Sequence, residues 1–67
     1  MGWNYNRLWK LLIDKGIKKT QLRDKLKIGP NTMTKMSKGE PVSMDVLGKI
    51  CNEFSCDISD IVEYTPD

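Results

Sequence analysis

The chain has 67 residues, 39% of them hydrophobic and 30% charged, with a net charge of +2. That is the size and mixture of one small globular domain, residues 1–67, in which folding buries only about 60% of the surface of the unfolded chain. No stretch approaches the roughly 20 apolar residues of a membrane span, and the opening MGWNYNRLWK lacks the apolar centre of a secretory signal.

Asn6 stands where an N-myristoylation signal needs Ser or Thr. The two cysteines, Cys51 and Cys56, fall where a helical pattern wants apolar residues, and there is no histidine to complete a metal set. They read as reduced core residues, which predicts a cytoplasmic protein. A Ser or Cys nucleophile would lack a His base, and no glycine-rich phosphate loop is present, so an enzyme is not expected. Nor is a cofactor, a metal or a small-molecule ligand.

The small net charge hides an uneven distribution. Residues 1–38 carry ten basic and two acidic side chains, a net of +8, while residues 39–67 carry one basic and seven acidic, a net of −6. Such a split points to a polyanion at the basic half, with the acidic half turned away from it.

Taken in order, Tyr5, Leu8, Trp9 and Leu12 share one face of a first helix over Tyr5–Asp14, with Asn4 or Asn6 as its cap and Gly16 at its left-handed end. The aromatic residues at its start cover either the core or a partner surface, and Trp3, outside the stripe, is expected to be exposed. A second helix over Lys19–Leu26 places Leu22 and Leu26 on one face, with Ile17 stapling its entry. In the turn Lys27-Ile28-Gly29, Ile28 points inward and Gly29 is the N-cap of a third helix, Pro30–Ser37. Proline suits the first helical position because its missing N–H had no intrahelical partner and its φ is already helical.

Met33 and Met36 face inward on this third helix, which leaves Asn31, Thr32, Thr34, Lys35 and Lys38 outside. Gly39 ends it. Glu40-Pro41-Val42 is a loop. Ser43 caps a fourth helix, Met44–Phe54, with Val46, Leu47, Ile50, Cys51 and Phe54 on its apolar face. Asp57 and Asp60 form a variant capping box for a fifth helix, Ile58–Glu63, and the tail from Tyr64 to Asp67 is expected to fray. No run alternates like a strand, so the reading is all-α.

Lys19 to Lys38 therefore reads as two short helices around a tight turn, the outline of a helix-turn-helix. Counting Lys19 as first, its fourth, eighth, tenth, fifteenth and eighteenth positions are Leu22, Leu26, Ile28, Met33 and Met36. This apolar pattern, the Gly39 that follows and the CDISDI run from Cys56 to Ile61 resemble the Cro/C1-type (XRE-family) helix-turn-helix regulators, over about residues 5–63. The resemblance implies a compact five-helix, lambda-repressor-like DNA-binding domain with the motif at its second and third helices. It further implies a bacterial transcriptional regulator acting on double-stranded DNA, as a homodimer on an inverted repeat. Either the last helix with Tyr64 or the loop Glu40–Val42 would supply the dimer surface.

Carried onto this chain, the resemblance sets the third helix in the major groove. Pro30, Asn31, Thr34 and Lys35 are then the base-facing residues, with Lys18, Lys19, Thr32 and Lys38 on phosphates. Asn31 can pair with adenine N6 and N7 and Lys35 with guanine O6 and N7, while Thr34 can bond a base or touch a thymine methyl. Pro30 offers apolar contact alone.

Three departures from the family pattern stand out. Arg23 occupies a position that is usually small. Lys27 replaces the usual left-handed glycine, which implies strain of about 1 kcal/mol or a turn of different shape. Leu12 and Ser37 replace a buried Arg–Glu pair. Together they suggest a small stand-alone branch of the family. The rival reading is a protein-interaction module, antitoxin-like or an adaptor, that keeps the fold without sequence-specific DNA binding.

Overall fold

A computed structural model describes residues 2–66. Its elements run β1 (Gly2–Asn4), α1 (Asn6–Lys15), α2 (Lys19–Leu26), α3 (Pro30–Ser37), α4 (Met44–Phe54), a 3-10 turn (Ile58–Asp60) and β2 (Glu63–Thr65). The limits of α2, α3 and α4 are those the sequence predicts, and α1 is offset by one residue at each end. No described helix is long and apolar enough to cross a membrane.

The core takes one or two buried side chains from each helix. Leu8 and Leu12 come from α1, Leu22 from α2, Met33 and Met36 from α3, and Leu47 and Ile50 from α4. Tyr5, Ile28, Ile61 and Val62 complete the cluster from the connecting segments. Leu12 is buried in the core, whereas Ser37, the other half of the replaced pair, lies exposed.

All four helices close in the same way. A residue in the left-handed region follows each one, namely Gly16, Lys27, Gly39 and Ser55. The next N–H then returns to a carbonyl five residues back: Ile17 to Leu12, Ile28 to Arg23, Glu40 to Lys35 and Cys56 to Cys51. This is the Schellman arrangement, which satisfies carbonyls that a helix end would otherwise leave unpaired. The helix starts are equally local. Asn4 Oδ1 accepts from the Asn6 N–H at 2.7 Å, and Ser43 Oγ accepts from Val46 N–H at 3.3 Å.

Two expectations fail after α4. The fifth helix over Ile58–Glu63 is a single 3-10 turn, so the fold has four α-helices among its described residues. Asp57 does accept from the Ile58 N–H (2.8 Å) and Asp60 from the Asp57 N–H (3.0 Å), but this capping closes one turn only. Ile61, at φ −125°, then leaves the helical region. Nor is the chain all-α, since β1 and β2 pair antiparallel, with Gly2 opposite Thr65, Trp3 opposite Tyr64 and Asn4 opposite Glu63. Tyr64 and Thr65 are thus held in a ribbon and do not fray, while Asp67 lies outside the described residues. Burying Ile61 and Val62 draws the chain end back to β1, and the pairing satisfies backbone groups on both strands. Trp3 and Tyr64 stack edge to face across the pair, 4.8 Å between centroids, and both stay exposed.

Side-chain bonds tie the ribbon and α1 to the remainder. Arg7 donates to the Ser59 carbonyl at 2.7 Å and to Glu63 Oε2 at 3.1 Å. The buried Tyr5 donates its hydroxyl to the Glu40 carbonyl at 2.9 Å, which joins the start of α1 to the loop after α3. Burial pushes the Tyr5 phenol above its ordinary pKa of 10.0, against a smaller opposing pull from the backbone of Val42. A raised folded-state value means that stability is complete below pH 10 and falls as pH rises through the folded pKa. Tyr5→Phe is expected to cost about 1 kcal/mol, or about 4–8 °C in Tm, and to flatten this alkaline loss. Thermal melts of both proteins from neutral to alkaline pH check it.

Cys51 and Cys56 are free thiols, both half-buried. Burial, the adjacent Cys51 and the acids Asp60 and Asp57 push the Cys56 thiol up, which leaves it a poor nucleophile.

Candidate nucleic-acid interface

The helix pair is positioned from inside. Met33 and Met36 bury one face of α3, and Ile28 is buried in the turn that leads into it. Gly29 is extended at φ −65°, ψ 149°, and Pro30 opens the helix at its first turn. Lys27 occupies the left-handed position at φ 56°, ψ 41°. Of the two alternatives for this turn, the geometry is therefore the strained one. Lys27→Gly is expected to raise stability by about 0.5–1 kcal/mol, once the greater freedom of glycine in the unfolded chain is subtracted. A Tm for the variant at or below the parent's would show that Lys27 is held by contacts that glycine cannot replace.

With the inward face committed to the core, the outward face of α3 divides into two stripes at helical spacing. Asn31, Lys35 and Lys38 form one, and all three are exposed. Pro30, Thr34 and Ser37 form the other, lining a shallow groove against Lys19, Thr20 and Arg23 of α2, with Met33 at its floor. Thr34 Oγ1 donates to the Pro30 carbonyl at 3.0 Å, so its proton is engaged within the helix and its lone pairs and methyl are what it offers outward. Thr32 is half-buried in the first turn of α3, less open than the other seven residues singled out from the sequence.

The start of α2 adds positive charge. Lys18 is the N-cap, extended and exposed, and its side chain has no acceptor with which to cap the helix. Its own N–H is satisfied by Gln21 Oε1 at 2.8 Å. Lys19 follows as the first helical residue, its Nζ 4.0 Å from the centroid of the Trp9 ring. The described ion pairs are Arg7–Glu63, Arg23–Asp24 and Lys25–Glu53. Lys18, Lys19, Lys35 and Lys38 take part in none of them. Arg23 is half-buried and lines the same groove, with its guanidinium 3.2 Å from Asp24. Among the described residues, no group of three or more His, Cys, Asp or Glu side chains could hold a metal ion.

Sequence reasoning overlooked Thr20 and Ser37 in the groove. Ser37 could have been found, because it follows Pro30 and Thr34 at helical spacing. The Trp9–Lys19 contact joins two helices and has no local spacing to betray it.

Residues 7–67 match the family model of the Cro/C1-type HTH DNA-binding domain. The chain belongs to that family. Among solved structures it is similar to the crystal structure of transcriptional regulator VanUg, at 44% identity and a TM-score of 0.94, over 98% of this chain and 88% of that one. No curated protein sequence matches it. Within the Cro/C1-type frame, α2 and α3 are the helix-turn-helix pair. The family's usual left-handed glycine in the turn is replaced by a lysine that adopts the same conformation.

Proposed function

We propose that this protein is a sequence-specific, double-stranded DNA-binding transcriptional regulator that lays α3 in the major groove. The observation that carries the reading is the outward face of α3. It presents an amide, a hydroxyl and two exposed ammonium groups, while the opposite side of the helix is locked into the core. A helix of about 10–12 Å diameter fits a groove about 12 Å wide. Asn31, Lys35 and Thr34 are then the base readers and Pro30 an apolar contact, while Lys18, Lys19, Thr32 and Lys38 are the phosphate contacts. A structural relative that is itself a transcriptional regulator supports the regulatory role.

One domain reads few base pairs, so the protein acts as a homodimer on an inverted repeat. The pairing surface in this reading is the apolar face lined by Trp3, Pro41, Val42, Met44 and Val62. It joins the loop after α3 to the ribbon that carries Tyr64. The same exposed apolar face is what favours the rival reading, an interaction module without a DNA role.

Duplex binding measured against salt separates the two. The DNA reading expects log K to fall linearly with log salt, by about 0.9 for each phosphate neutralised, and the slope to shrink by about one on Lys19→Ala. Binding that ignores both salt and Lys19 would favour the interaction module.

A further inference from the structure

Trp9 packs against the edge of the core. Its neighbours Leu8 and Leu12 are buried on the interior side of α1, whereas Trp9 is only half-buried and turns one ring face towards the start of α2. On that face lies the Lys19 ammonium, 4.0 Å from the ring centroid. This is well inside the roughly 6 Å within which an aromatic quadrupole attracts a cation. Lys19 also lines the groove that runs along Pro30, Thr34 and Ser37 of α3, so the held ammonium belongs to the same surface as the outward face of that helix.

We propose that Trp9 is a positioning residue for the DNA backbone: its indole orders the Lys19 side chain at the α2–α3 surface before DNA arrives. This inference rests on the DNA-binding reading above. A lysine free in solvent samples many rotamers, and fixing it on a phosphate costs that freedom. A carboxylate at the position of Trp9 would also fix the lysine, but it would neutralise the charge that the phosphate needs. The ring holds the cation and leaves it both charged and open to solvent on its far side. Phe and Tyr share the ring quadrupole, whereas Leu covers the same apolar surface without it.

The test is a double-mutant cycle on a duplex that the protein binds, using the parent protein, Trp9→Leu, Lys19→Ala and the double variant. Trp9→Leu is expected to weaken binding about threefold to tenfold, and to have little further effect once Lys19 is alanine. Trp9→Phe is expected to recover most of the loss. A Trp9→Leu effect of equal size with and without Lys19, or no recovery with Phe, would overturn the proposal while leaving DNA binding itself in place. A parent protein with no salt-dependent duplex binding would remove both. A second measurement needs no DNA. With Trp3→Phe leaving Trp9 as the single indole, Lys19→Ala should change the tryptophan emission of the free protein. Unchanged emission would contradict the contact on which the inference is built.

Discussion

Lys35→Ala and Asn31→Ala are each expected to weaken binding to the protein's own site by about 1–3 kcal/mol per half-site, roughly 5- to 150-fold. Both side chains are exposed on one stripe of α3, so the Tm should stay within about 4 °C of the parent's. In a dimer each substitution acts twice. The decisive feature is the pattern of loss and not only its size. Removing a base reader relaxes preference at the base pairs it read, while affinity for random duplex falls much less. Lys38→Ala, at a proposed phosphate contact, should lower affinity for all sequences about equally and reduce the salt slope. Competition titrations with matched and mismatched duplexes read these differences directly. Equal losses on matched and random DNA for Asn31→Ala would take that residue off the base-reading list.

Gly39→Ala is the substitution with the largest expected cost to stability, about 2–4 kcal/mol. Two effects add. Gly39 sits at φ +74°, where a side chain costs about 1–2 kcal/mol, and a Cβ built there would lie 2.8 Å from the backbone oxygen of Trp3. The neighbour is backbone in β1, paired to β2, so it cannot swing aside as a flexible side chain would. Relief requires α3 and the ribbon to part. In a chain of 67 residues such a loss is a large fraction of total stability, and a fall in Tm of at least 10 °C is expected. A variant that melts like the parent would mean that the ribbon yields easily and does not brace α3.

α2, α3 and α4 could be bounded residue by residue because their punctuation is local: Gly29-Pro30 starts a helix, Ser43 caps one and Gly39 ends one. Asn31, Thr34 and Lys35 could be selected because Met33 and Met36 claim the opposite face, although only the family pattern says that such a face reads DNA. The ribbon was invisible. Three-residue strands show no alternation, and Trp3 and Tyr64 lie 61 positions apart with nothing local to pair them. The short turn after Asp57 has the caps of a helix, and what shortens it is the return of the chain to β1. The left-handed lysine could be suspected only through the family's glycine, since nothing in KLKIGP itself demands positive φ at Lys27. The close approach of Gly39 to Trp3 depends on that same unseen ribbon.

Selection of bound sequences from a random pool of duplex DNA tests sequence-specific reading and two-fold pairing at once. A dimer that reads an inverted repeat should enrich a short palindromic consensus whose half-sites lie about one helical turn apart, about 10–10.5 base pairs centre to centre or a multiple of it. Such a result would support sequence-specific reading and two-fold pairing together. A pool that retains the protein by charge alone, with no sequence enriched over the starting mixture, would contradict it.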